Sequence, residues 1–251
     1  MGAAVVLIHG FSLDTRMWDP QFDVLARHFR TIRYDMRGFG QSPAPDGIYT
    51  QADDLVALLD ARDIQRAHII GLSMGGSVAL DFAILHPARV DRLVLLDAGA
   101  GGHRWSDAWD NTVKAVWAHG RRGDLATARR MWLEFDLFKP ALANPASSAR
   151  LQQIVTEYSG WHWLNRDPSN GMDPPALQRL DEVVAPTLSL IGEHDLPDFH
   201  AIAAKLEAGI ADNRTEVIDG VGHMSNMEAP VQVNRAVLAF LGAPAEDVEN
   251  V

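Results

Sequence analysis

A chain of 251 residues with 47% apolar side chains can bury a sizeable core, which excludes a disordered segment and leaves one large domain or two small ones. A net charge of −11 argues against nucleic acid and anionic membrane as partners, because both need clustered Lys and Arg. With no cysteine at all, the chain has no disulfide, zinc–thiolate centre or thiol nucleophile, and it fits a cytoplasmic location.

Met1-Gly2-Ala3-Ala4 carries no basic region and runs straight into a strand pattern, unlike a signal peptide, and no apolar run reaches the length of a membrane span. Short apolar, β-branched runs then recur: Val5-Val6-Leu7-Ile8, Thr31-Ile32-Arg33-Tyr34, His68-Ile69-Ile70, Leu93-Val94-Leu95-Leu96, Thr187-Leu188-Ser189-Leu190-Ile191 and Thr215-Glu216-Val217-Ile218. Runs apolar on both faces belong to buried parallel strands, and their alternation with helical patterns predicts an α/β fold. Helices are predicted over 51–61, with Leu55, Leu58 and Leu59 on one face, over 78–86 up to Pro87, and over 226–241.

The rhythm breaks between about 101 and 180. That stretch has no clear strand, reads as helices near 105–119, 123–138 and 146–158, and holds six of the seven tryptophans. The predicted organisation is a core of 1–100 and 181–251 interrupted by a helical cap at 101–180. The final residues, with Glu246, Asp247 and Glu249, read as a frayed tail.

Gly71-Leu72-Ser73-Met74-Gly75 sits between the third strand and a helix of small residues. G-x-S-x-G at such a junction forces a sharp turn that lifts the serine hydroxyl out of the sheet, and glycine on either side tolerates the close backbone contacts. A serine hydroxyl is a poor nucleophile unless a base takes its proton and a third group orients the base. His223, in Gly222-His223-Met224 beyond the last strand, is the candidate base, and Asp195, in Gly192-Glu193-His194-Asp195, the candidate acid. Asp198 lies one turn further on as an alternative. His9-Gly10-Phe11 follows the first strand, so the Phe11 and Met74 amides are candidate donors to an oxyanion beside Ser73, with His9 structural.

These stretches, with Asp35-Met36-Arg37-Gly38-Phe39-Gly40-Gln41-Ser42 and Glu228-Ala229-Pro230, closely resemble the α/β-hydrolase family over about 5–100 and 183–241. The resemblance implies a mostly parallel sheet flanked by helices and carries Ser73, Asp195 and His223 over as a catalytic triad. Some family members place the acid where Asp97 stands, so Asp97 remains a further alternative. In this motif Asp35 and Arg37 imply a structural ion pair, and Glu228 a supporting or helix-start residue. The family often begins with an antiparallel hairpin before the His-Gly strand. Here that strand starts almost at Met1, so an exposed edge strand is expected.

Ser73 at the nucleophile position separates the chain from dehalogenase and epoxide-hydrolase branches, which place Asp there. Met224 stands where carbon–carbon bond hydrolases often have Trp after the histidine, and Ser73-Met74-Gly75-Gly76 resembles enol-lactonases, carboxylesterases and cofactor-free perhydrolases. The resemblance therefore implies a serine hydrolase of a small or medium apolar ester or lactone, without metal or cofactor. A carbon–carbon bond hydrolase, a perhydrolase and a ligand-binding receptor on the same scaffold are the alternatives. Trp161, Trp163 and Met224 are the expected pocket residues; the other tryptophans read as the core of the cap. His28, His68, His86, His119 and His200 read as solvated.

Overall fold

A strand apolar at consecutive positions is satisfied only where helices cover both faces of its sheet. The computed structural model describes residues 2–244, and of the last ten residues, expected to form the tail, those from 245 on lie outside that range. Its strands are β1 (Ala4–Ile8), β2 (Arg30–Tyr34), β3 (Ala67–Leu72), β4 (Val90–Leu96), β5 (Thr187–Gly192) and β6 (Asn213–Ile218). They form one parallel sheet in the order β2-β1-β3-β4-β5-β6. β1, β3 and β5 are buried at every position, whereas the edge strands β2 and β6 are partly exposed along most of their length.

The helices before the long insertion are α1 (Asp19–Ala26), α2 (Gln51–Asp60) and α3 (Met74–Leu85). Within it lie α4 (Asp107–Arg121), α5 (Leu125–Leu133), α6 (Lys139–Ala143), α7 (Ser148–Glu157) and α8 (Trp161–Leu164), and after it α9 (Pro197–Gly209), α10 (Ser225–Glu228) and α11 (Pro230–Leu241). Thr50 starts α2 by accepting from the Asp53 amide at 3.0 Å, and Leu55 and Leu59 are the buried positions of its apolar face. α1 packs against α11, and α2 against α3. One hydrophobic cluster runs from Leu72 and Leu96 in the sheet to Val116, Trp132 and Leu151 in the insertion.

Three local expectations differ from the structure. The helix expected over 123–138 ends at Leu133, and a 3-10 turn at Asp136–Phe138 leads into α6, with Pro140 in its first turn. The closing helix is cut in two because Pro230 drives Ala229 out of the helical region, to φ −132° and ψ 60°. His68 is buried in β3, edge-on to Phe29, where a solvated side chain was expected.

The junction between β3 and α3 is the tightest feature. Ser73 adopts φ 56° and ψ −115°, a conformation that residues with a Cβ rarely accept. Its amide donates to Leu96 O at 3.0 Å, and its carbonyl accepts from the Gly99 amide at 3.0 Å, so the end of β4 and the loop after it grip the turn from the side. A Cβ on Gly71 would overlap the Gly75 carbonyl, and a Cβ on Gly75 would overlap the carbonyls of Ile8 and His9.

Because backbone cannot yield as a side chain tip can, Gly71→Ala is expected to destabilise the fold by about 3 kcal/mol or to prevent it forming. Gly47→Ala, where an added Cβ meets nothing within 4 Å, is the near-neutral control. Urea denaturation of the two variants side by side checks this.

Candidate active site

The strand order reverses between β1 and β3, and beyond the carboxyl ends of such strands an open parallel sheet leaves a crevice. β1 delivers His9-Gly10-Phe11 to it, β3 delivers Ser73, β5 the loop bearing Asp195, and β6 the loop bearing His223. Register aligns these ends, since Ile8 lies beside Gly71 and Gly192 beside Ile218.

His223 Nδ1 lies 2.9 Å from Asp195 Oδ2, with the Asp195 side chain fully buried. A carboxylate only accepts, so Nδ1 is the donor. The other ring nitrogen, Nε2, is buried and makes no hydrogen bond among the described residues. The second Asp195 oxygen accepts from the Leu196 amide at 2.7 Å, which fixes the carboxylate plane. Phe199 packs over the imidazole at 4.2 Å between centroids.

The two alternative acids are engaged elsewhere. Asp198 accepts from His103 Nε2 at 3.1 Å and from both the amide and hydroxyl of Ser106, which anchors the start of α4. Asp97 is wholly buried and accepts from the Gly192 amide at 2.8 Å and from the amide and hydroxyl of Ser225. Burial, then the neighbouring Asp195 charge, pushes the Asp97 carboxyl well above the usual range. Glu228 accepts from the amides of Gly222 at 3.0 Å and Met224 at 3.1 Å, on either side of His223, and burial raises it as well. Two carboxyls thus grip the 222–225 turn, and a third orients its histidine.

His9 donates from Nδ1 to Gly10 O at 2.8 Å and accepts the Met36 amide on Nε2 at 3.0 Å. Burial lowers its basicity, so it is a neutral peg between β1 and the 36–42 loop. Asp35 and Arg37 do not pair with each other. Asp35 accepts the amides of Thr15 and Gln41, both at 2.8 Å, while Arg37 makes a two-pronged contact with Asp54 on α2 at 2.6 and 2.7 Å.

Ser73, His223, Phe11, Met74 and Met224 all line a single cavity of about 250 Å³. Trp161 and Trp163, the other expected pocket residues, do not line it. Trp163 is fully buried one layer behind, against Phe11, Trp117 and Trp132, and Trp161 lies against Gly38 and His162. The walls come instead from Trp105, Trp109, Trp117, Trp132, Phe138 and Phe199. A signal for them was present in the chain: Trp105, Trp109, Val113 and Trp117 recur every four residues, which makes one stripe along and just ahead of α4. No Lys, Arg, Asp or Glu is among the lining residues. Among the described residues no group of three or more His, Cys, Asp or Glu is placed to hold a metal ion.

A family model described as the alpha/beta hydrolase fold matches residues 3–230. The chain belongs to the α/β-hydrolase family. It is similar to a 2-hydroxy-6-oxononadienedioate/2-hydroxy-6-oxononatrienedioate hydrolase of Paraburkholderia xenovorans, at 31% identity over 94% of this chain and 86% of that one. It is also similar to 3-oxoadipate enol-lactonase 1 of Acinetobacter baylyi, at 30% identity over 90% of this chain and 84% of that one. Among solved structures, the enol-lactonase from Burkholderia xenovorans superposes with a TM-score of 0.82, at 26% identity over 96% and 92% of the two chains. This α/β-hydrolase is an enzyme of the hydrolase class, and none of its helices among the described residues is long and apolar enough to cross a membrane.

Two consequences follow for stability. Glu228→Ala leaves the Gly222 and Met224 amides without their acceptor and is expected to cost about 1–3 kcal/mol in urea denaturation, with Glu228→Gln, which has one acceptor oxygen for the two amides, recovering only part of it. His162 is held by burial at about 4 instead of 6.5, so between those values the folded chain binds fewer protons than the unfolded one. Stability is therefore lost as pH falls through that window, by about 3 kcal/mol from this residue. His162→Gln, compared with the parent by denaturation at pH 7 and about pH 4.5, is expected to flatten that loss.

Proposed function

We propose that this α/β-hydrolase is a serine hydrolase that cleaves a small or medium, uncharged, apolar carboxylic ester or lactone. The observation that carries the reading is the His223–Asp195 pair at 2.9 Å, with the free Nε2 of His223 buried and Ser73 lining the same cavity. In the proposed reaction Ser73 Oγ attacks the carbonyl carbon while His223 Nε2 takes its proton. The tetrahedral oxyanion accepts hydrogen bonds from the Phe11 and Met74 amides. Met74 opens α3, where first-turn amides have no acceptor within the helix and the dipole favours negative charge. Each such donor is worth about 2.7–4 kcal/mol to an acyl-transfer transition state. Collapse expels the alcohol with the proton from His223 and leaves an acyl group on Ser73. Water, deprotonated by the same nitrogen, then releases the acid. Asp195 keeps the histidine in the tautomer that the step requires.

The lining supports the substrate class. The walls are aromatic, and a carboxylate in the cavity would meet no Lys or Arg there. Two relatives carry the names of dicarboxylates, a 2-hydroxy-6-oxo dioate and 3-oxoadipate, so the proposed substrate departs from theirs in charge. The residue ranges 1–100 and 181–251 fit the reading as the catalytic core, and 101–180 as the cap that shapes the acyl pocket. The Paraburkholderia relative supports a second reading, hydrolysis of an uncharged oxo compound of that kind at its carbon–carbon bond.

Ser73→Ala, folded by circular dichroism, is expected to reduce hydrolysis of p-nitrophenyl butyrate by at least about 10⁴-fold. Undiminished turnover would remove Ser73 from the mechanism. A panel of uncharged ester, uncharged lactone, β-diketone and dicarboxylic lactone is expected to give the highest kcat/KM for an ester or lactone without charge. Preference for the dicarboxylic member would overturn the substrate class.

A further inference from the structure

Gly10, Phe11, Ser12 and Leu13 form a turn closed by the Leu13 amide and Gly10 O at 3.3 Å. Its third residue, Ser12, has φ 61°. That position in a turn favours Gly or Asn, and serine offers no conformational advantage there. The side chain is wholly buried, and its hydroxyl accepts a hydrogen bond from Trp132 Nε1 at 2.7 Å. This bond joins residues 120 positions apart, one in the loop after β1 and one in α5 of the insertion. Buried indole N–H groups in this chain are not all so served: those of Trp18 and Trp163 have no acceptor among the described residues.

The Trp132 ring also lines the cavity that Ser73 faces and packs edge-on against Phe11 at 5.6 Å. One end of the Phe11 segment is already fixed. His9 is pegged to the Met36 amide, and Gly75 lies against the carbonyls of Ile8 and His9. The other end is held by Ser12 alone among the polar contacts of the turn with the insertion. Rotation of the Phe11–Ser12 segment would swing the Phe11 amide, whose aim at an oxyanion is a matter of tenths of an ångström.

We propose that Trp132 is a positioning residue for the reaction: its indole N–H, through the Ser12 hydroxyl, holds the Phe11 amide in the orientation that an oxyanion on the substrate requires. The proposal rests on the serine-hydrolase reading above. It explains why a strained turn carries serine where glycine would relax it. It also gives the insertion a part in the chemistry as well as in substrate fit, since the same side chain forms a wall of the acyl pocket and fixes the turn.

The test uses Ser12→Gly, Trp132→Phe and the double variant in the full chain, with p-nitrophenyl butyrate as substrate. Trp132→Phe keeps an aromatic wall and removes the donor; Ser12→Gly removes the acceptor and suits the positive φ. Each is expected to lower kcat by about 10- to 100-fold with KM changed by no more than about twofold, as for a contact felt only in the transition state. Affinity for a trifluoromethyl ketone, which forms a tetrahedral adduct on Ser73, is expected to fall by the same factor as kcat/KM. Affinity for the corresponding non-fluorinated ketone is expected to stay. Ser12→Gly is expected to melt close to the parent, since relief of the positive φ offsets part of the loss of the acceptor for the buried indole N–H, and the double variant to be no slower than the slower single one. A merely structural role would lower Tm and leave the two ketones in their parental ratio. Ser12→Gly or Trp132→Phe with parental kcat, in an enzyme whose turnover is abolished by Ser73→Ala, overturns the proposal alone. A parent whose esterase activity survives Ser73→Ala overturns the reading beneath it.

Discussion

Gly71 and Gly75 allow three segments of backbone to meet at the carboxyl edge of the sheet: the end of β1, the turn after β3 and the first turn of α3. Every other part of the candidate site is arranged relative to that contact. It fixes how far Ser73 rises above the sheet and brings the His9-Gly10-Phe11 loop alongside. It also directs the amino end of α3 at the space between them. The unfavourable backbone of Ser73 survives because the surroundings over-determine it, with Leu96 O on its amide and the Gly99 amide on its carbonyl. A parallel sheet is well suited to this, because its strands end on one side and each contributes a loop to the same crevice.

Polar groups near the site are few and almost all are held. Asp195 orients His223, Glu228 spans the amides on either side of it, and Asp97 ties the same turn to β4 and to the end of β5. Concentrating carboxyls in an apolar setting pushes Asp97 and Glu228 toward the neutral form, which limits repulsion around Asp195. Around this polar knot the insertion builds an aromatic shell. Phe11 stands in the middle of it, stacked on Trp117 and edge-on to Phe39, Trp132, Tyr158 and His162. The shell is continuous with the core: Trp132 and Phe138 belong to its buried cluster, and Trp105, Trp109 and Trp117 pack against it.

The sheet was legible in the sequence because residues such as Val5-Val6-Leu7-Ile8 and Leu93-Val94-Leu95-Leu96 are apolar at successive positions, which only a doubly covered strand explains. That Ser73, Asp195 and His223 would lie at one edge of the sheet was legible because each closely follows a strand, and parallel strands end on one side. Their partners were harder. Arg37 was expected to pair with Asp35, two residues away, yet its guanidinium finds Asp54 across α2, since a surface ion pair is chosen by tertiary geometry that spacing does not encode. Pro230 ends a helix whose apolar register continues through it, because ring sterics override periodicity. Trp161 and Trp163 were chosen for their glycine-rich, apparently irregular setting. The structure makes that stretch a turn of helix with Trp163 behind the wall, while the four-residue stripe leading into α4 faces the cavity.

The insertion leaves the sheet after β4 and returns at β5, and these two strands are hydrogen-bonded neighbours. Its ends are therefore pinned close together by the core whatever lies between them. Closing a longer or shorter chain between fixed points changes the entropy only logarithmically, about 0.6 kcal/mol for each doubling of length. A change in the length of the insertion thus costs little in closure entropy, and the glycine contact beneath it is made by residues outside the insertion. What such remodelling must keep is any tether that reaches back across the seam. The Trp132–Ser12 bond is one, and it makes the inserted segment answerable to the loop that leaves β1.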